Sequence, residues 1–226
     1  MAPPSTSDKC PPSSAFDQNI QIKVGAEPEI RTFPVHKGIL VFYSGYFEGA
    51  LRPTSAFSEA ATGIVDFSDE DPAIVERFVH WLYVRKGALN AEDYDGDFFM
   101  DMLCDLWVFA DRRQVPLLMN DTVDTMRDEI VRTWTIPTRQ LSYLYENHTA
   151  DSNMRRFCFE VVGKAGVTGL LTNKKRSVYN KHVLWELLKV AWNRELQDYW
   201  RKEDVQALEL CPRYHHHEEG MTCKKP

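Results

Sequence analysis

The order of the periodic patterns along the chain constrains its fold more than any other feature. Apolar and polar residues alternate at 20–24, as in a half-buried strand, and two further short strand patterns follow at 30–35 and 63–67. From Pro72 onward, the apolar residues recur at helical spacing instead. A few early strands followed by many helices predict an α+β or mostly α domain, and they argue against a parallel doubly wound one.

Capping residues predict where two of the helices begin. Ser44 is a candidate N-cap for a short helix, and Asp71 is followed by Pro72, which suits the first position of a helix. Helical patterns cover residues 38–43, 46–51, 72–83, 95–111, 116–130, 138–147, 152–164 and 180–201. The last of them carries Trp185, Trp192, Tyr199 and Trp200, which are interpreted as core residues, although a groove for a partner peptide has the same pattern.

Composition and charge narrow the classes of partner. The chain has 226 residues and a formal net charge of −6, so sequence-independent binding to nucleic acid is not expected. It contains neither a run of about 20 apolar residues that could span a membrane nor an apolar secretory signal. Its five cysteines are scattered and odd in number, which is not a disulfide framework. We therefore expect an intracellular protein, cytoplasmic or nuclear, with free thiols and no nucleic-acid, membrane or small-molecule partner.

Several local strings resemble one known family. The stretches Thr32-Phe-Pro-Val-His36-Lys37-Gly-Ile-Leu40 and Tyr43-Ser44-Gly-Tyr46-Phe47-Glu-Gly-Ala50 resemble the signature of the BTB/POZ domain. Weaker likenesses continue at 65–69, 78–83, 106–111 and 115–118, so the resemblance covers about residues 18–130. Within the family, the chain is most similar to the small BTB proteins of filamentous fungi.

The resemblance implies a domain plan and a binding function. We expect a disordered Pro/Ser-rich tail at 1–15, a BTB/POZ domain at 16–130, a helical extension at 131–203 and a Cys/His-rich tail at 204–226. The BTB/POZ domain is expected to be a small three-stranded sheet covered by helices. Its implied partners are other proteins, including a second copy of the chain and cullin three.

Phe57-Ser58-Glu59 is the candidate partner-binding motif. The resemblance implies that a hydrophobic-x-Glu sequence at this place, interpreted as a loop, contacts the cullin, with Phe57 as the apolar anchor and Glu59 as an oriented charge. The leading hypothesis is thus an adaptor that links a substrate to a cullin-based ubiquitin ligase. An ordinary surface loop explains the motif equally well, and the chain is then a homo-oligomerising scaffold or a transcription-linked cofactor.

Catalysis has little support in the sequence. The resemblance implies that His36 hydrogen-bonds locally at the corner between a strand and a helix, and the sequence contains neither a Gly-x-Ser-x-Gly elbow nor a phosphate-binding glycine loop. The basic cluster at 173–176 is interpreted as a solvated loop. We therefore expect no enzyme. A zinc-dependent enzyme is a weaker alternative, favoured if a metal has three protein ligands plus water.

The C-terminal tail predicts a structural zinc site. Two thiols and two imidazoles make a complete tetrahedral ligand set, and the predicted ligands are Cys211, His215, His217 and Cys223. In an extended segment, His215 and His217 face the same side and His216 faces the other. The spacing is not that of a standard zinc finger, and a short polar tail near a terminus is often disordered, which is the alternative.

Overall fold

The computed structural model describes residues 10–54, 58–91, 96–165, 179–192, 199–211, 213–217 and 222–223. The strands in these ranges are β1 (Asn19–Val24), β2 (Arg31–His36) and β3 (Ile64–Phe67). The helices are α1 (Lys37–Tyr43), α2 (Gly45–Ala50), α3 (Ser58–Thr62), α4 (Pro72–Val84), α5 (Gly96–Arg112), α6 (Pro116–Thr133), α7 (Gln140–Asn147), α8 (Asn153–Ala165), α9 (Lys181–Trp192) and α10 (Lys202–Gln206). The predicted α+β class is confirmed.

The sheet is small and mixed. Its strand order is β2-β1-β3, with β1 antiparallel to β2 and parallel to β3. Ile22 in the central strand lies opposite Phe33 on one side and Val65 on the other. Every second residue of β1 is buried, and those between are exposed or half-buried. The alternation in the sequence therefore correctly predicted which side chains of β1 are buried.

The two predicted N-caps are confirmed. The Ser44 hydroxyl accepts a hydrogen bond from the backbone N–H of Phe47 at 3.1 Å and donates one to the Arg113 carbonyl at 2.6 Å. The Asp71 carboxylate accepts from the backbone N–H of Ala73 at 2.7 Å. Each cap satisfies an N–H group that the first turn of a helix leaves without a partner.

The chain divides into two compact units. The first comprises residues 1–90, 105–119 and 217–226, and the second comprises 91–104 and 120–216. A cluster of aromatic rings fills the first unit, with neighbouring ring centroids 5.0 to 6.3 Å apart. Its members are Phe47, Phe67, Phe78 and Phe109.

Helix α8 forms the centre of the second unit. Nine of its thirteen residues are buried, and these include the charged Arg155 and Glu160. A buried charge is tolerated only when it is paired. Arg155 is ion-paired with Glu186 of α9, and its guanidinium also donates to the backbone carbonyl of His148 at 3.0 Å.

The structure corrects three predicted boundaries. Residues 13–16 form a short 3-10 helix in which Ala15 is buried, so ordered chain begins before residue 16. The helix predicted at 180–201 ends at Trp192 within the described residues, and 199–201 are not helical. Residues 202–206 form α10, which the sequence analysis did not anticipate. None of the helices in the described ranges combines the length and the hydropathy that a membrane span requires.

Gly163 sets how closely α8 and α9 approach. A Cβ atom at this position would lie 2.6 Å from Cγ1 and 3.0 Å from Cβ of Val190, a side chain with little rotamer freedom. We expect Gly163→Ala to lower the free energy of unfolding by roughly 1–3 kcal/mol, the usual cost of overpacking, as measured by urea denaturation.

Two further variants test the cause of this loss. In a Val190→Ala background the contact with Cγ1 is gone and only the 3.0 Å contact with Cβ remains, so Gly163→Ala should lower the free energy of unfolding clearly less than it does in the wild type. Gly49→Ala in α2 is the matched control, because a Cβ there meets nothing within 4 Å. Equal destabilisation by Gly163→Ala in both backgrounds would contradict the explanation.

Candidate functional site

The structure describes two of the three residues of the predicted partner-binding motif, Phe57-Ser58-Glu59. Phe57 lies outside the described residues, whereas Ser58 and Glu59 form the first turn of α3. The interpretation of this stretch as a loop was therefore wrong for residues 58–62. Ala60 and Ala61 favour a helix, and the Thr62 hydroxyl donates to the Ser58 carbonyl at 3.0 Å.

Glu59 borders a polar cavity of the first unit. Ser58 is exposed and Glu59 half-buried, and the Ser58 hydroxyl donates to the Glu59 carboxylate at 3.3 Å. The cavity is open to solvent and has a volume of about 430 Å³. Its polar lining includes Gln18, Asn19, Gln21, Lys37, Glu59 and Thr62. The short helix thus places one carboxylate at the border of a polar depression.

His36 hydrogen-bonds at the predicted strand-to-helix corner. Its Nδ1 lies 2.9 Å from the Tyr83 hydroxyl, which also accepts a hydrogen bond from the His36 backbone N–H at 3.1 Å. The partner is on α4, 47 residues away, so the expectation of a local hydrogen bond was wrong. The rings of Phe16 and Tyr83 both contact His36, and these two side chains are 49% and 43% exposed. The result is an aromatic patch at the surface of the first unit.

The C-terminal tail is docked on α8 through Tyr214. This side chain is fully buried, and its hydroxyl donates to the carboxylate of Glu160. Glu160 also lies 2.9 Å from the ammonium of Lys164 and 2.8 Å from the guanidinium of Arg213. Burial, with a further contribution from the hydrogen bond to Glu160, raises the pKa of Tyr214 well above its ordinary value. The tail is therefore anchored inside the second unit.

Helix α6 holds the next two tail residues. The side-chain amide of Asn120 donates to the His216 carbonyl at 2.8 Å and accepts from the His216 N–H at 2.6 Å. Asp124, one turn further along the same face, lies 2.9 Å from Nε2 of His215. Three consecutive tail residues are thus tied to two helices.

Three of the four predicted metal ligands come together. The ligand atoms of Cys211, His217 and Cys223 all lie within 4.8 Å of one another, and the Cys223 sulfur is 3.5 Å from Nε2 of His217. His215 is outside this group, and its ring contacts Asp124. The expected alternation of side chains assumed an extended segment, but residues 213 and 214 form a turn, in which the Tyr214 N–H donates to the Leu210 carbonyl.

The aromatic residues of α9 differ from the prediction. Trp185 and Trp192 are 60% and 81% exposed, and Tyr199, which follows the helix, is 52% exposed, so the core interpretation was wrong for all three. Trp200 is half-buried, and the Lys164 ammonium lies 4.5 Å from its ring centroid. The basic stretch at 173–176 lies outside the described residues.

Asn120, Asp124 and Glu160 hold the tail, and none of them was predicted from the sequence. Asn120 and Asp124 are four positions apart on α6, a spacing that places two polar groups on one helix face. Glu160 stands among apolar residues of α8, where a charge is costly without a partner. These patterns indicate that partners exist, but they do not say which residues those partners are.

Comparison with known protein families gives a match. Residues 14–106 match the family model of the BTB/POZ domain, so the fold is a BTB/POZ fold followed by a helical extension. A search of curated proteins found no match to the chain. The BTB/POZ domain is a fold that mediates protein–protein interactions.

Tyr214→Phe removes the hydroxyl that donates to Glu160. We expect the free energy of unfolding at about pH 7 to fall by roughly 1.5–3 kcal/mol, since the lost hydrogen bond has a charged acceptor. Because folding raises the pKa of Tyr214, its contribution is present below the unfolded pKa of about 10 and is lost at higher pH. The difference between wild type and variant should therefore narrow above about pH 10.

Tyr46→Phe is the matched control for this measurement. Its ring contacts Phe47 and lies under the Arg113 guanidinium, and phenylalanine retains both contacts. Urea denaturation at several pH values compares the three proteins. A Tyr214→Phe variant as stable as wild type at every pH would contradict the assigned anchor.

Proposed function

We propose that the chain is an adaptor that links a substrate protein to a cullin-based ubiquitin ligase. The observation that carries the proposal is the BTB/POZ match, together with the hydrophobic-x-Glu sequence Phe57-Ser58-Glu59, of which Ser58 and Glu59 begin α3. The role is one of binding, not of catalysis, and it is exercised in the cytoplasm or nucleus. We also propose a narrower kinship with the small BTB proteins of filamentous fungi, on the resemblance of the sequence.

The geometry around α3 supports this role. Ser58 is exposed at the start of the helix, and Glu59 projects a carboxylate that borders the polar cavity. The backbone carbonyl of Glu59 accepts from the Gly63 N–H at 3.0 Å, which joins the end of α3 directly to the start of β3. A charge held by a short helix next to the sheet loses little freedom on binding, which favours a compact interface hot spot.

Self-association is the second candidate function. The exposed aromatic patch of Phe16 and Tyr83 favours it, together with the exposed Val84 beside Tyr83. Apolar side chains grouped at a surface are typical of protein interfaces. In this alternative the chain is a homo-oligomerising scaffold or a transcription-linked cofactor, and it has no ligase role.

A binding assay against the N-terminal region of cullin three tests the adaptor proposal. The purified chain is compared with a Phe57→Ala, Glu59→Lys double variant. Loss of a hot-spot pair costs at least about 2 kcal/mol, so we expect the double variant to bind about 30-fold more weakly or not at all. Glu29→Lys is the matched control, because Glu29 is an exposed glutamate in the turn between β1 and β2.

The alternative outcomes separate the two functions. Binding that the double variant loses and Glu29→Lys retains supports the adaptor. Absence of binding by the wild type, with a stable homo-oligomer in light scattering, overturns the adaptor and leaves the scaffold. Far-UV circular dichroism of each variant excludes unfolding as the cause of any loss.

A further inference from the structure

We propose that the C-terminal tail holds one zinc ion through the thiolates of Cys211 and Cys223 and the imidazole of His217. The proposal goes beyond the adaptor function and does not depend on it. Two thiolates and an imidazole form a ligand set that selects zinc over magnesium or calcium, which prefer oxygen. The fourth coordination position falls to a ligand outside these three side chains.

The distances fit a tetrahedral centre. With Zn–S near 2.3 Å and Zn–N near 2.0–2.1 Å, the sulfur and nitrogen of two ligands should be about 3.6 Å apart. Sγ of Cys223 and Nε2 of His217 are 3.5 Å apart, and all three ligand atoms lie within 4.8 Å of one another. Only small side-chain movements would therefore bring the three atoms to their coordination distances.

The docked tail prearranges the first part of the site. Between Cys211 and His217, Tyr214 is held by Glu160, and the next two residues are held by α6. A segment already fixed by its neighbours loses less conformational entropy when it binds a metal. Helices α6 and α8 thus hold the residues between Cys211 and His217 in place.

The thiols of the tail differ from the other cysteines in their surroundings. Cys104 and Cys158 are buried, and burial alone raises the pKa of the Cys158 thiol far above its usual value. Cys211 and Cys223 are only half-buried, so solvent and metal can reach them. Zinc binding replaces the protons of both thiols, and the two thiolates neutralise the charge of the ion.

The test measures zinc in the full-length chain. The protein is purified under reducing conditions and dialysed, and its zinc is quantified by elemental analysis. We expect about one zinc per chain in the wild type and a loss of bound zinc in Cys211→Ser, His217→Gln and Cys223→Ser. Replacement by Co²⁺ should give the visible absorption of a tetrahedral site with thiolate ligands, and this absorption should be lost in the same three variants.

Two variants serve as matched controls. Cys10→Ser removes a thiol far away in sequence, and His80→Gln removes an exposed imidazole of α4. Both should retain the zinc. For the wild type, removing zinc with a chelator should lower the melting temperature, and added zinc should restore it, so the proposal is tested even if a ligand variant fails to fold.

Three results would overturn the proposal. The first is wild-type protein without zinc after expression and after zinc addition under reducing conditions. The second is full zinc content in a Cys211→Ser, Cys223→Ser double variant. The third is a disulfide between Cys211 and Cys223 that persists in mild reductant and excludes metal. Each of these is independent of whether cullin binds.

Discussion

The second unit depends on one buried carboxylate. Glu160 lies inside α8, where removing a charge from water costs several kcal/mol without compensation. One of its partners, Lys164, is on the same helix, but Tyr214 and Arg213 come from the tail, more than fifty residues later. The carboxylate is satisfied only when the tail is in place. The tail is therefore part of the folded core and not an appendage to it.

How much the sequence could predict depends on the range of the interactions. The strand β1, the caps Ser44 and Asp71 and the BTB/POZ fold were predictable, because alternation, capping and family strings are local signals. The pairing of Tyr214 with Glu160 was not, because nothing local links residues 54 positions apart. His215 shows the same limit, since its contact with Asp124 depends on a turn and on a helix far away in sequence.

The two proposed roles rest on different residues and different chemistry. The adaptor proposal uses a charge at the start of α3 and an apolar neighbour, as in many protein interfaces. The zinc proposal uses soft ligands in the tail, brought within 4.8 Å of one another. The exposed tryptophans of α9 belong to neither role, and they show that apolar residues at helical spacing do not by themselves establish a buried face.

The two hydrogen bonds of Asn120 limit which amino acids can occupy position 120. Its side-chain amide donates to the carbonyl of His216 and accepts from the N–H of the same residue, as the backbone of a paired residue does in an antiparallel sheet. Aspartate has the same shape but no donor, and glutamine has both groups on a longer stem. Slow deamidation of Asn120 to aspartate would remove the same donor as an Asn120→Asp substitution. The docking of the tail thus depends on the chemical stability of the Asn120 amide as well as on the free energy of folding.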